Sequence, residues 1–395
     1  MNRILEGIRV LDLTYALNGP LAGRILGELG AEVIKIEPPW GSARDFLPIV
    51  SGESVNFMMI NANKKFITLN MKSEVGKELF KRFVKVSDVV LENYSAGTME
   101  KLGFGYDELK RIKQDIIYVS SSGFGHSGVY TSLPAYDYIV QAMTGFYSIT
   151  GEKELPMKTG VAIIDVLSGV FTALATVSAL YNKLKNETGD RVDMAMYDIA
   201  NYSLIETVAG VLTEGKDSKF NKRLGNKHPI TAPYALYKAS DNFVFIAVAK
   251  DDQFARLCKV IGNEDLTKDP AFSTNEMRVK NMVKLDEVIQ GWIGEYPAET
   301  VVKALHDSDI AAAEVRSPFE ALKDRNLEAR NLLVELPHPS LRNVKVLNSV
   351  LKFKNSDTTV HRPGMPLGYD NEEVYSSILG MSKIEIDKLR LNKVI

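Results

Sequence analysis

The sequence predicts an α/β protein in which an open parallel sheet is followed by a smaller α+β domain. Three observations predict it. Strand-like and helix-like apolar patterns alternate over the first part of the chain, a polar connector rich in Gly and Lys follows, and a hairpin pattern then appears near residue 240. At 395 residues, the chain is long enough for two or three domains of roughly 150 residues each.

The first βαβ unit is the clearest part of the pattern. Ile8 to Leu13 is a β-rich run, and Pro20 to Leu29 has helical spacing with a proline in its first turn. Gly30 ends that helix, and Ala31 to Ile36 is a second apolar strand. A strand, a helix and a strand in this order indicate parallel pairing.

The same rhythm recurs along the next eighty residues. It predicts helices at Ser73 to Val86 and Tyr106 to Lys113, a helical turn before Gly103, and strands at Asp88 to Leu91 and Ile116 to Ser120. An open α/β domain follows from this repetition.

A second domain begins after the connector between Thr213 and Thr231. Tyr234 to Lys238 and Phe243 to Val248 flank Ala-Ser-Asp-Asn, which is a hairpin signal that parallel α/β units do not give. Helical patterns complete this α+β domain at Asp252 to Ile261, Met277 to Tyr296 and Ala298 to Asp307.

Composition limits the partners of the chain. Lys and Arg total 48 against 50 Asp and Glu, so the net charge of -2 favours neither nucleic acid nor an anionic membrane. Cys258 is the only cysteine, which excludes an intramolecular disulfide framework and fits a reducing cytoplasm. The N-terminus has no signal-peptide pattern, and the most apolar stretch, Val166 to Tyr181, contains Ser and Thr that favour a buried helix over a membrane span.

One carboxylate stands out. Asp165 is the only charged residue between Lys158 and Lys183 and precedes the helical pattern of Val166 to Lys185. It can be an N-cap that accepts a hydrogen bond from a backbone N–H in the first turn. It can also be a functional carboxylate aimed by the helix N-terminus, and the two roles are compatible.

The motif search removes several enzyme classes. GxSxG and HExxH are absent, and the five histidines lack metal-ligand spacing. A GxGxxG does occur at Gly123 to Gly128, but Pro134 follows where a dinucleotide-binding helix should run. Glu37 resembles a ribose-binding acid, yet without the glycine fingerprint a strand-end charge is the better interpretation. A nicotinamide enzyme is therefore a minor alternative.

Taken together, several segments resemble the class III CoA-transferase (CaiB/BaiF) family over nearly the whole chain. They are, in order, GIRVLDLTYALNGPLAGRILGELGAEVIKIEPPWG, NANKKFITLNMKSEVGKELF, VVLENYSAGTMEKLGFGYDELK, IIYVSSSGFGHSGVY, RLGNKHPITAPYALYKASDNFVFIAVAKDDQF and the C-terminal PGMPLGYDNEEV. No single segment is diagnostic, but their order is.

The resemblance implies an interlocked homodimer of subunits with a Rossmann-like large domain and a smaller α+β domain. The implied boundaries are residues 1–205 for the first part of the large domain, 206–230 for a linker, 231–325 for the small domain, 326–345 for a second linker and 346–395 for a segment that returns to the large domain.

The resemblance also makes Asp165 the catalytic nucleophile, and the chemistry agrees. A carboxylate that attacks an acyl-CoA gives a mixed anhydride and then an aspartyl-CoA thioester, so each intermediate stays activated. Apolar surroundings would exclude water and raise the pKa of Asp165, and the helix N-terminus is expected to offset that rise. The implied partners are an acyl-CoA, a small carboxylic acid and a second copy of the chain. CoA serves as substrate and carrier, with no permanently bound cofactor and no metal.

The family's CoA contacts map onto one group of residues. They are Leu17, Asn18, Pro38, Leu69, Asn70, Met71, Lys72, Asn93, Tyr94, Ser95, Lys101, Leu133, Pro134, Ala135 and Tyr136. Lys72 and Lys101 are the implied phosphate partners, although surface lysines are commonly just solvated. The chain departs from the pattern at Asn18, where members commonly have small residues, and some members have Gln at Leu17 and a basic residue at Pro38. Asn18 is either a polar contact to the substrate or a turn residue before Gly19.

Two other functions stay open. The 2-methylacyl-CoA racemases of the same family use a histidine in a GHDINY-like motif, but here the matching segment is Ala135 to Tyr138 and has no imidazole. Tyr136 is a poor proton shuttle near pH 7. A CoA-binding protein without catalytic activity is the alternative of another class.

Overall fold

The structure is a computed structural model that describes residues 2–395. Its strands are β1 Arg9–Asp12, β2 Glu32–Glu37, β3 Ile49–Val50, β4 Glu53–Ser54, β5 Lys64–Thr68, β6 Val89–Glu92, β7 Ile117–Ser122, β8 Gly151–Glu152, β9 Leu155–Pro156, β10 Arg191–Ala195, β11 Tyr234–Lys238, β12 Phe243–Ala247, β13 Ala311–Glu314, β14 Leu333–His338 and β15 Arg342–Leu347.

The α-helices are interleaved with these strands along the chain. They are α1 Asn18–Glu28, α2 Val55–Ile60, α3 Glu74–Lys85, α4 Thr98–Leu102, α5 Tyr106–Ile112, α6 Asp137–Thr144, α7 Phe146–Ile149, α8 Ile163–Asn186, α9 Met196–Ser203, α10 Ile205–Glu214, α11 Asp251–Val260, α12 Asn275–Lys280, α13 Met282–Ile293, α14 Ala298–His306, α15 Pro318–Ala321, α16 Arg325–Ala329, α17 Asn371–Leu379 and α18 Lys383–Leu391.

The core of the larger unit is a six-stranded parallel sheet in the order β10-β7-β6-β1-β2-β5. One face packs on apolar residues of α1 and α8, and the other packs on α3, α5, α17 and α18. Because helices cover both faces, β1, β2, β5, β6 and β7 are buried on both sides, whereas the edge strand β10 alternates between exposed and half-buried residues. The predicted α/β class with an open parallel sheet is confirmed.

Contacts divide the chain into two units. The larger contains residues 1–144, 160–203 and 325–395, and the other contains residues 145–159 and 204–324. In the second unit, β11 and β12 form the predicted hairpin, and β13 pairs antiparallel with β12. Helices α11, α13 and α14 supply much of the core of this unit. The α+β character predicted for this region is confirmed.

One predicted helix needs correction, and five strands of four or more residues, β5, β10, β13, β14 and β15, were not predicted. The helix expected at Met277 to Tyr296 is broken into α12 and α13 at Asn281, whose side-chain amide donates to the carbonyl oxygens of Ala271 (3.0 Å) and Met277 (2.9 Å). An Asn side chain that bonds nearby backbone competes with the helical pattern. Strand β13 was missed because its sequence, Ala-Ala-Ala-Glu, has no β-branched or aromatic residue.

Helix α8 is 24 residues long, and it is apolar enough to cross a membrane by length and composition alone. One of its sides lies against α1 and the sheet, as core residues such as Ala173 and Leu180 show. A core helix of this length passes the same test, so the feature is weak evidence for a membrane span.

Candidate active site

The predicted contact residues follow the carboxyl ends of parallel strands. Leu17 and Asn18 come after β1, Pro38 after β2, Leu69 to Lys72 after β5, and Asn93 to Ser95 after β6. From β1 the chain adds β2 and β5 on one side of the sheet, and it then returns to add β6 on the other side of β1. The direction in which strands are added therefore reverses between β1 and β6. Ligands of open α/β sheets bind in the crevice outside such a reversal.

Asn93 ties together the two loops at this reversal. Its side-chain oxygen accepts from the Tyr15 N–H at 2.9 Å, and its amide nitrogen donates to the Tyr15 carbonyl at 2.8 Å and to Asn18 Oδ1 at 2.7 Å. The rings of Tyr15 and Tyr94 stack with centroids 5.9 Å apart. The loops after β1 and β6 are therefore one connected surface.

Asn18 is buried and bonded within the protein. Its Oδ1 also accepts from the Gly19 N–H at 2.7 Å, and its Nδ2 donates to the Ser121 carbonyl at 3.2 Å. These bonds support the structural alternative for Asn18, a residue that fixes the turn, over a polar contact to a substrate. Helix α1 begins at Asn18, two residues before the predicted start at Pro20.

A cavity of about 410 Å³ collects many of the predicted CoA contacts. Its lining includes Pro38, Leu69, Asn70, Met71, Lys72, Tyr94 and Lys101. Lys72 and Lys101 are exposed, and neither has a carboxylate within salt-bridge distance among residues 2–395. The cavity thus offers two lysines whose charge is not neutralised by any carboxylate of the described residues.

The other predicted contacts lie outside the lining of this cavity. Leu17, Asn18, Asn93 and Ser95 are in the loops after β1 and β6, and Leu133 to Tyr136 belong to the loop that follows β7. The Ala135 Cβ is so close to Gly123 that a side chain at Gly123 would clash with it at 2.0 Å. Tyr136 is 75% exposed. The loop after β7 leads directly into α6, which begins at Asp137.

Asp165 lies at the third residue of α8 and is not the N-cap. The helix begins at Ile163, the N-cap position is Ala162, and no side-chain cap is formed there. The N-cap interpretation was wrong because the helix starts two residues before Asp165, on Ile163 and Ile164. The carboxylate still lies in the first turn, where the partial positive charge of a helix is concentrated.

Asp137 holds the backbone of Asp165. Its Oδ2 accepts from the Asp165 N–H at 2.9 Å, and its Oδ1 accepts from the Gln141 side chain. Asp137 is buried, whereas Asp165 is half-buried. The pairing joins the loop after β7 to the start of α8. Asp137 is not among the predicted site residues, and only the fold brings its carboxylate to the backbone of Asp165.

The side-chain carboxyl of Asp165 has no hydrogen bond or ion pair with any part of the described chain, residues 2–395. Burial first, and then the negative charge of Asp137, raise the pKa of Asp165 to about 7. Burial and the second acid thus outweigh the expected offset by the helix N-terminus. A half-buried, unpaired carboxylate that is only partly ionised near neutral pH has the features of a reactive group.

The loop after β1 rests on a buried ionic cluster of Asp12, Lys35 and Lys64. Lys64 Nζ lies 2.6 Å from Asp12 Oδ2, and Lys35 Nζ lies 3.7 Å from Asp12 Oδ1. Lys35 also donates to the Thr14 carbonyl at 2.5 Å. The cluster fixes the start of the loop that leads to Asn18. Within residues 2–395, no group of three His, Cys, Asp or Glu side chains could hold a metal ion.

Comparison with known proteins agrees with this geometry. The family model for CoA-transferase family III matches residues 5–371. A succinate–glutarate CoA-transferase of Agrobacterium fabrum is 32% identical over 386 residues, 95% of each chain. A formyl-CoA:oxalate CoA-transferase of Streptomyces coelicolor is 34% identical over 414 residues, 100% of this chain and 99% of the relative.

Solved structures agree as well. The crystal structure of a CaiB/BaiF family protein from Brucella suis superposes with a TM-score of 0.86 at 31% identity, over 96% of this chain and 100% of the other. The open parallel sheet, the crevice at its carboxyl edge and these matches lead to one conclusion: the chain belongs to CoA-transferase family III, the CaiB/BaiF family, and is an acyl-CoA:carboxylate CoA-transferase.

Proposed function

We propose that the enzyme moves CoA from an acyl-CoA to a small free carboxylic acid through covalent intermediates on Asp165. An Asp165 carboxylate oxygen attacks the thioester carbonyl carbon, and the C–S bond breaks. CoA leaves as the thiolate, and the acyl group stays on Asp165 as a mixed anhydride. The thiolate then attacks the aspartyl carbonyl, which releases the donor acid and leaves an aspartyl-CoA thioester. The acceptor carboxylate repeats these two steps in reverse and leaves as the new acyl-CoA.

The observation that carries this proposal is the state of Asp165. Its carboxyl is half-buried and unpaired within the described chain, and its pKa is raised to about 7. A nearby cation would neutralise the nucleophile, and free access of water would hydrolyse the anhydride. No cation pairs with Asp165 within residues 2–395, and its half-burial beside the apolar first turns of α8 limits the access of water.

The crevice supports a defined direction for CoA. Lys72 and Lys101 line the cavity beyond β2, β5 and β6, whereas Asp165 is tied to the loop after β7. The phosphates would bind at the lysines, and the pantetheine arm would run past Tyr94 and Asn93 toward Asp165. Leu133 to Tyr136 would border the acyl end of the substrate.

Trapping the intermediate tests the mechanism. Acyl-CoA donors are incubated with the enzyme without an acceptor acid, and the peptides are analysed by mass spectrometry. We expect an acyl or CoA adduct on the peptide that contains Asp165, and Asp165→Ala should abolish both adduct and transfer while CoA still binds. Undiminished transfer by that variant would disprove covalent catalysis at Asp165.

The same assay addresses the acceptor acid and the racemase alternative. Succinate, glutarate and oxalate are the first acids to test, and formyl-CoA is one of the first donors, because the names of the relatives mention them. In deuterium oxide without an acceptor, a chiral 2-methylacyl-CoA should take up no α-deuterium. Rapid deuteration without acyl exchange for any acid would instead make Asp165 a base.

We also propose a homodimer of interlocked subunits. Helix α8 has exposed apolar side chains on one face, at Val166, Val170, Leu174, Tyr181 and Leu184. An exposed apolar stripe of this length indicates a covered surface in the assembled protein. The segments 206–230 and 326–345 are proposed as the linkers that let two chains thread through each other, with residues 346–395 returning to the larger unit.

Sedimentation at decreasing concentration tests the dimer. Interlocked chains cannot separate without opening, so dimer should persist to nanomolar concentration and be lost only together with secondary structure. A folded monomer that appears on dilution would contradict interlocking.

A further inference from the structure

We infer that the indole of Trp40 is the stacking platform for the adenine of CoA. The inference rests on the proposed function and adds a residue outside the predicted CoA contacts. Trp40 lines the same cavity as Lys72 and Lys101, yet its side chain is 66% exposed. A tryptophan that leaves so much apolar surface in water, at the rim of a cavity, is placed to be covered by a ligand.

The turn that carries Trp40 is rigid. The Gly41 N–H donates to the Pro38 carbonyl at 2.8 Å, which closes a turn with Pro39 and Trp40 at its centre. Pro39 fixes its own φ in the second position of this turn. Gly41 has a φ of 80°, a conformation that a residue with a side chain rarely adopts. The backbone of Trp40 is therefore set before any ligand arrives.

A buried ion pair clamps the ends of the same segment. Arg44 donates to both carboxylate oxygens of Glu37, at 2.9 and 2.6 Å, and its guanidinium lies 4.1 Å from the centre of the Phe57 ring. Glu37 is buried at the end of β2. The acid that could have been a ribose contact is thus occupied, and its role here is to hold the Trp40 turn. A preorganised platform loses little freedom when a base stacks on it.

The residues at the two ends of the crevice indicate which part of CoA contacts Trp40. The thioester has to reach Asp165, which is tied to the loop after β7, so the nucleotide end lies at the other side of the crevice, where β2 and β5 end. Lys72 and Lys101 provide positive charge for phosphates there. Adenine is the one planar aromatic group of CoA, and stacking on an aromatic side chain suits it.

The chain allows a direct optical test, because it contains only Trp40 and Trp292. Trp292 packs against the core of the second unit, so Trp292→Phe leaves Trp40 as the sole indole. We expect CoA and adenosine 3′,5′-bisphosphate to quench the emission of this variant, and 4′-phosphopantetheine, which has no adenine, to leave it unchanged. Calorimetry on the same samples measures binding independently.

Variants of Trp40 complete the experiment. Trp40→Ala should weaken CoA binding about tenfold, and Trp40→Phe should weaken it by less, because a phenyl ring still stacks. The affinity for 4′-phosphopantetheine should be the same in both variants, and the loss should appear in the KM for acyl-CoA more than in kcat.

The outcomes separate this inference from the proposed function. Unchanged CoA affinity in Trp40→Ala, or CoA binding that calorimetry detects without any change in Trp40 emission, would overturn the stacking role and leave the transferase proposal intact. Failure of the unmodified enzyme to bind CoA at all would overturn both.

Discussion

Asp12 and Asp165 are two acids of the same unit that are both shielded from water, but their pKa values are shifted in opposite directions. Asp12 ends β1, is fully buried and lies beside Lys64 and Lys35. Burial opposes its ionisation, but the two lysines prevail and lower its pKa. Asp165 is half-buried without a cation, and burial together with Asp137 raises its pKa to about 7.

The difference shows how one fold separates structural from reactive carboxylates. The Asp12 carboxylate is paired with lysines, and it also accepts a hydrogen bond from the Thr14 N–H at 2.9 Å. It therefore holds the loop after β1 in place. The charge of Asp165 is unsatisfied, so that it is available for chemistry. An Asp→Asn substitution should therefore have opposite effects on stability at the two positions.

The largest expected effect is the loss of stability in Asp12→Asn. Removing this charge leaves Lys35 and Lys64 buried without a carboxylate to balance them, which should cost about 3–5 kcal/mol of unfolding free energy at pH 7. Burial already lowers the pKa of Lys64 to about 8. Without Asp12 the pKa of Lys64 falls further, so the variant sheds this buried charge at lower pH, and the loss should shrink as pH rises toward about 8 and then level off.

Urea titration at pH 7 and pH 9 measures this change. Asp387→Asn is the matched control, since Asp387 forms an exposed pair with Arg390 at 2.8 Å and should cost less than about 1 kcal/mol. Equal costs for the two variants would show that the buried cluster contributes no more than a surface pair.

The second prediction is that Asp165→Asn stabilises the fold while it abolishes transfer. The pKa of Asp165 is higher in the folded protein than in the unfolded chain, so the folded state binds more protons and stability falls as pH rises from about 4 to 7. Asparagine cannot titrate. The variant should gain about 1 kcal/mol or more above pH 7 and little below pH 4.

Thermal unfolding across this pH range checks the gain. Asp198→Asn is the control, because Asp198 is also in the first turn of a helix but is exposed. This substitution should not stabilise the fold. A destabilised Asp165→Asn at pH 8 would mean that the carboxylate is satisfied in the folded enzyme.

The third prediction concerns the pH dependence of activity. Asp165 must be ionised to attack, so kcat/KM should rise with pH through about 7 and then level off. Asp137→Asn removes the neighbouring negative charge and should move this rise to lower pH, while its side-chain oxygen can still accept from the Asp165 N–H. Because burial is the larger cause, only part of the raised pKa should be relieved.

The profile of Asp193→Asn serves as the comparison. Asp193 likewise accepts a backbone N–H, from His126, and its substitution should leave the rise where it is. A profile that does not move in Asp137→Asn would contradict the electrostatic role of Asp137.

The smallest effects are expected for the lysines of the cavity. Lys72→Ala and Lys101→Ala should each weaken CoA binding about three- to tenfold, with less loss at high salt because exposed charges are screened. Lys81→Ala is the control, as Lys81 is already paired with Glu78 at 2.7 Å. If either cavity variant binds CoA as tightly as Lys81→Ala does, that lysine does not contact the phosphates.

Local patterns determined much of the fold. The βαβ unit at the start and the hairpin at Tyr234 to Lys238 were predicted because periodicity and turn residues act over a few positions. The break at Asn281 and the weak strand β13 were not, because one depends on a side-chain bond to Ala271 and the other on pairing with β12.

The sequence by itself determined that Asp165 is isolated from other charges along the chain, and the resemblance pointed to its role. Tertiary structure alone decided that Asp137, 28 residues away, accepts its N–H. Likewise, Asn18 binds Asn93, and Trp40 borders the same cavity as Lys101. The reason is geometric: parallel strands bring their carboxyl ends to one edge of the sheet, so loops that are distant in sequence meet there, and electrostatic effects depend on distance in space.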